Sequence, residues 1–210
     1  MADAKSFARL GSVVHGSIKY NGFCAEGRIA VSALREMFSR ALNEFLKEER
    51  ALIASNAAER AWCGRLAMKL ERGIERQHLQ GYYADVDYNR KQNGQLKTIK
   101  NGNEKVIVIV TDIIVHSRGE LAPRDNLVAI EMKKFRRPRA EKALDRERLA
   151  ILTTPPERNE IYSGDGGVTH PEHVCGYELG VFLEIDPTLM KYSLELFESG
   201  SVTGFASGSF

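Results

Sequence analysis

Residues 106–119 read VIVIVTDIIVHSRG and residues 126–134 read NLVAIEMKK. Both runs are rich in β-branched and aliphatic side chains, as paired strands are. Gly119, Pro123, Asp125 and Asn126 supply the turn signal between them. The run over 106–115 is apolar on both faces apart from Asp112, which predicts one continuous central strand. Side chains alternate along a strand, so Glu131 and Lys133 project from one face and Met132 from the other. Ionised groups against such an apolar background are costly unless they are paired, hydrogen-bonded or bound to metal.

Working outward, residues 29–54 place Leu34, Met37, Phe38, Ala41, Leu42, Phe45 and Leu46 at helical spacing behind a Ser32 cap. This is a packing helix whose stripe suits the core or a homodimer contact. A second helix is predicted over 56–77, where Asn56 and Glu59 have the spacing of a capping box and Cys63, Leu66, Leu70 and Ile74 form the apolar stripe. At about 100° per residue Glu59 falls in the middle of that stripe and Glu71 on its flank. For Glu59, a cap and a functional carboxylate are both open. Residues 82–88 alternate as a half-buried strand, and 89–103 are polar loop. Downstream come a helix over 138–153 with Pro138 near its first turn, a loop including 164–167, and a strand over 177–185. The Gly/Ser-rich tail from 199 reads as flexible or as a loose edge element, and residues 1–27 as a weak hairpin or irregular arm.

The chain has 210 residues, 43% apolar and 28% charged, which suits one sizeable globular core and excludes wholesale disorder. No apolar run approaches the roughly 18 residues that span a bilayer, so no membrane partner is expected. Cys24, Cys63 and Cys175 lack metal-type spacing, and their odd number argues against a disulfide framework. With no secretory pattern at the start, the cytoplasm is the default compartment. The net charge is only +2, but residues 133–148 hold eight Lys/Arg against three acids. A helix carrying that surplus beside Lys133 suggests a groove for a phosphate backbone, although charge on a helix is usually just a solvated face.

Hard divalent cations take oxygen ligands, often one or two carboxylates completed by water and substrate phosphate. Asp112 and Glu131 on neighbouring strands could supply two, and the backbone carbonyl of Met132 a third oxygen. Lys133 would then stand beside the bound water, orienting it or neutralising phosphate. A salt bridge between Glu131 and Lys133 at a strand end is the plainer alternative. His116 and Arg118 share the strand parity of Asp112 and read as phosphate contacts or as structural residues. Asp145 reads as an i,i−3 partner of Lys142, and His170 and His173 as loop histidines.

Thr111-Asp112 followed by Glu131-Met132-Lys133 resembles the signature of the PD-(D/E)xK nuclease superfamily, with Thr111 where the motif has proline. Glu59-Arg60, Arg65-Leu66-Ala67, Tyr88-Asn89-Arg90 and Asn126-Leu127-Val128-Ala129-Ile130 are similar to words of a bacterial group of that superfamily, which has glutamate where Asp87 stands. The resemblance spans about residues 55–185. It implies an α/β fold of restriction-endonuclease type: a central mixed sheet flanked by helices in the order αβββαβ, here behind an N-terminal helical extension. It also implies Mg²⁺-dependent cleavage of DNA phosphodiesters, with Mn²⁺ as a substitute, and an acid from the first core helix, a role Glu59 matches by position and face. The expected organisation is an arm and packing helix over 1–54, the nuclease-like core over 55–198 and the tail over 199–210, in one compact domain. The expected catalytic residues are Glu59, Asp112, Glu131 and Lys133, with Asp112, Glu131 and the Met132 carbonyl on the metal. The expected DNA contacts are His116, Arg118, Lys134, Arg136, Arg137, Arg139 and Lys142. A non-catalytic nucleic-acid-binding module or a dimeric regulatory protein on the same fold is the alternative.

Overall fold

The computed structural model describes residues 29–88, 98–100, 106–108, 110–121, 124–155, 162–165, 168–171 and 174–210. The arm expected over 1–27, most of the 89–103 loop and His173 lie outside the described residues. In chain order the elements are α1 (Val31–Glu48), α2 (Arg50–Ala54), α3 (Glu59–Arg76), β1 (Tyr83–Val86), β2 (Thr98–Lys100), β3 (Val106–Val108), β4 (Ile113–His116), β5 (Asn126–Lys134), α4 (Arg139–Leu152), β6 (Tyr162–Asp165), β7 (Val168–Pro171), β8 (Leu179–Asp186), β9 (Lys191–Glu198) and β10 (Ser201–Ser209).

Six strands form a mixed sheet in the order β1-β4-β5-β8-β9-β10, antiparallel except for the parallel pair β5–β8. The fold is therefore α/β, with α4 lying in the connection that makes β5 and β8 parallel. Strand alternation sorts the core into two layers. Ile113, Val115, Val128, Ile130 and Met132 pack with α1 and α3, whereas Ile114, Ala129, Phe182 and Phe197 pack with Leu149 and Leu152 of α4. The stripe expected on the first helix is buried in that first layer as part of the same core. α1 and α3 approach closely at Gly73, where a Cβ would stand 2.7 Å from the Met37 side chain.

Four expectations change. The helix over 29–54 is interrupted at Glu49 (φ −100, ψ 17), whose buried carboxylate accepts a hydrogen bond from Arg65 at 2.8 Å, and α2 follows from Arg50. The capping box at Asn56 does not form: Asn56 adopts φ 54, α3 begins at Glu59, and the Asn56 side chain instead accepts from Lys134 Nζ at 2.8 Å. The strand expected over 106–115 divides into β3, which pairs with β2 outside the main sheet, and β4, which lies inside it. Asp112 thus occupies the bend entering β4, behind a buried Thr111. Finally, the loop containing 164–167 carries the β6–β7 hairpin, and the tail takes the edge form: β10 pairs along β9 with one register shift at Val202/Gly204. β9 went unpredicted, although Tyr192, Leu194 and Leu196 carry a plain period of two.

Candidate active site

The ladder between β4 and β5 ends at Ile113↔Ile130. Beyond it the Asp112 side chain replaces the missing strand, and Met132 N–H donates to Asp112 Oδ2 at 2.8 Å. The bend that interrupts the expected strand is therefore what turns this carboxylate toward β5. Glu131 and Lys133, one step to either side of Met132, point into the α4 layer.

Lys133 Nζ is the centre of the cluster. Asp112 Oδ2 lies 3.0 Å away, the Met132 carbonyl 3.2 Å, Asp145 Oδ2 3.5 Å and Glu131 Oε2 3.9 Å. From α4, Arg148 Nη1 donates to Glu131 Oε1 at 2.6 Å and stands 3.2 Å from Asp145 Oδ1. Glu131 is fully buried, and both Glu131 Oε2 and Asp145 Oδ2 are buried without a hydrogen-bond partner. Among the described residues no three His, Cys, Asp or Glu side chains form a group that could hold an ion by themselves. The carboxylates surround the Lys133 ammonium instead.

The electrostatics follow from burial. Removal from water, reinforced by the Asp112 charge, lifts the Glu131 carboxyl to about 8 despite the pull of Arg148. Burial also opposes the charge on Lys133, but Asp112, Glu131 and Asp145 outweigh it and raise the ammonium to about 12. Asp145 is raised by burial, against the pull of Lys133 and Arg148. Lys133 is thus a cation at neutral pH, and Glu131 is the group whose charge stands in the balance. Glu131 binds its proton more tightly in the folded than in the unfolded chain. Its contribution to stability is full below the ordinary 4.5 and is lost as pH rises toward about 8. In chelator-treated protein the melting temperature of wild type is expected to fall relative to Glu131→Gln between about pH 5 and about pH 8. A difference that stays constant across this range would contradict the assignment.

Glu59 has other partners. It arrives from the α3 layer, and its carboxylate accepts Lys134 N–H at 2.9 Å and the Arg137 guanidinium at 3.0 and 3.1 Å. Burial alone would raise it, but Arg137 and the Lys134 N–H hold it below the usual carboxylate range. Burial pushes the nearby Cys63 thiol well up, with the Asp112 charge adding to the effect, and Cys63 sits in the core as its stripe position implied.

The basic segment is more internally spent than its count suggests. Lys142 is buried against Glu184 at 2.7 Å, and Arg146 pairs with Glu184 and Glu195. Asp145 pairs with Lys133 and Arg148 rather than with Lys142. Lys134 Nζ donates to Asn56 and lies 4.9 Å from the Trp62 ring centroid. Arg136 and Arg139 are exposed, and no ion pair is seen for either among the described residues. His116 and Arg118 belong to a different group at the β1 edge. His116 is buried with its Nε2 3.0 Å from Asp85, and Arg118 donates twice to the same carboxylate while stacking over Tyr83. Sequence reasoning missed Asp145 and Arg148 as site residues. Their three-residue spacing on one helix face was the available signal.

Comparison with known proteins finds no matching family model, no matching curated protein and no matching solved structure. No described helix is long and apolar enough to cross a membrane.

Proposed function

We propose that the chain is a divalent-metal-dependent nuclease acting on DNA, built on a core of restriction-endonuclease type. One observation carries the reading: Asp112, the Met132 carbonyl, Glu131 and Lys133 meet at the ends of two adjacent strands, with Glu131 Oε2 buried and lacking a donor. The order α3, β1, β4, β5, α4, β8 within the main sheet supports the core assignment.

The donor set fits Mg²⁺ or Mn²⁺, because two carboxylates and a carbonyl are hard oxygens and such ions keep several waters. Asp112, Glu131 and the Met132 carbonyl would hold the ion. When bound, it would lower the pKa of water and offset charge on a phosphodiester. Lys133, raised to about 12, serves as an ammonium that orients water or neutralises phosphate rather than as the base that removes a proton. The exposed turn carrying Arg136 and Arg139 follows directly after β5 and offers cations to a nucleic-acid backbone.

Purified protein is expected to nick supercoiled plasmid with Mg²⁺ or Mn²⁺ and not with chelator. A non-catalytic nucleic-acid-binding module has one observation in its favour, since Arg148 and Lys133 already balance much of the carboxylate charge. Salt-sensitive DNA binding without metal-dependent cleavage would select it.

A further inference from the structure

Asp145 and Arg148 stand three residues apart on the face of α4 turned to the sheet. Arg148 engages one oxygen of each of two acids, Glu131 Oε1 at 2.6 Å and Asp145 Oδ1 at 3.2 Å. The other oxygen of each acid is left buried and without a donor, 3.9 and 3.5 Å from Lys133 Nζ. If Asp145 were only a structural partner of Lys133, its buried oxygen would be expected to accept a hydrogen bond, because an unmet buried acceptor is costly. Once Glu131 is ionised, as direct ligation of a cation requires, three carboxylates face two cations here and the cluster carries one negative charge in excess.

We propose that Asp145 is a further cation-binding carboxylate of this site, accepting at Oδ2 a hydrogen bond from the hydration shell of a hard divalent ion, with Arg148 as the residue that positions it and Glu131. The proposal rests on reading Asp112, Glu131 and the Met132 carbonyl as the direct ligands. Asp145 then serves an ion that retains water, as Mg²⁺ does. It also adjusts charge. With a divalent ion bound the cluster carries one positive charge, which a phosphodiester monoanion cancels. Without Asp145 the excess would be two, and the Lys133 ammonium would face the ion with less to screen it.

The test is Mn²⁺ binding to the full chain, followed by the electron paramagnetic resonance signal of the free ion. Asp145→Asn and Asp145→Ser are expected to weaken binding by about 10–100-fold, the usual cost of losing a residue that supports a metal site. Arg148→Lys is expected to weaken it less. The serine variant leaves room for a water and carries the test if the asparagine amide disturbs packing, with circular dichroism checking the fold of each. Wild-type affinity in both Asp145 variants overturns the proposal, as does a wild type that binds no Mn²⁺. Plasmid cleavage separates this idea from the one beneath it. Weakened Mn²⁺ binding in a protein that never cleaves DNA would uphold the cation role and remove the nuclease reading. Cleavage with unchanged Mn²⁺ dependence in both variants would do the reverse.

Discussion

Lys133→Ala is expected to lower metal-dependent plasmid cleavage by about 10²–10³-fold, the usual loss when one preorganised charge is taken from a developing anion. The side chain has four oxygens within 3.9 Å of its ammonium, and these hold its charge well above neutrality. Its contribution is therefore electrostatic, and alanine removes it whole. The same substitution has a second consequence of opposite sign. Three carboxylates would then face Arg148 alone, so the attraction for a divalent ion should rise while the rate falls. A merely structural lysine would not produce that divergence, because a disordered site loses affinity and rate together. Lys133→Arg should recover little, since the planar guanidinium cannot take the place of a compact ammonium among oxygens on several sides. Cleavage of plasmid and Mn²⁺ titration of the same preparations check both halves. Equal cleavage by Lys133→Ala and wild type would end the nuclease reading.

How much of this was legible in the sequence depends on whether the information was local. Period-two alternation carried β1, an aliphatic run bounded by turn residues carried β5, and helical spacing carried the buried faces of α1 and α3, because each pattern reports one element against one core. The pairing of Glu131 with Lys133 followed from parity alone. The interruption between β3 and β4 was hidden, since apolar residues on both faces continue through it and the excursion into a separate hairpin leaves the composition unchanged. Asp145 and Arg148 were hidden for a different reason. Charge counting over 133–148 registers a basic helix, but whether each cation meets water or a carboxylate depends on residues such as Glu184, Glu195 and Glu131 that arrive from other strands. Glu59 shows the same limit. The helical wheel set it on the buried stripe, yet its side chain is only partly buried and the turn after β5 brings Arg137 back onto it, and no helical wheel contains that turn.

Arg148→Met should be the most destabilising single change at this site, and its cost should depend on pH. Arg148 supplies the 2.6 Å hydrogen bond to Glu131, a carboxylate that has no exposure to water. Removing one partner of such a pair costs about 3–5 kcal/mol, because the remaining charge is buried and, with Lys133 no closer than 3.9 Å, is left without a hydrogen-bond donor. Methionine fills much of the arginine stem, so the loss reports charge rather than volume. Glu131 has one escape, which is to take up a proton. Burial already lifts its carboxyl to about 8, and without Arg148 it rises further. Well below that value the neutral acid tolerates the loss of the guanidinium, and the penalty should shrink. Above it the full cost should appear. Denaturant unfolding at about pH 6 and about pH 9 is expected to show this growth in the penalty, in the direction proton linkage requires. The double variant with Glu131→Gln should recover much of the lost stability at the higher pH, since position 131 then carries no charge and Asp145 keeps Lys133 at 3.5 Å. If Arg148→Met costs the same with Glu131 or Gln at that position, the two side chains are not coupled, and Arg148 does not hold the carboxylate on which the site depends.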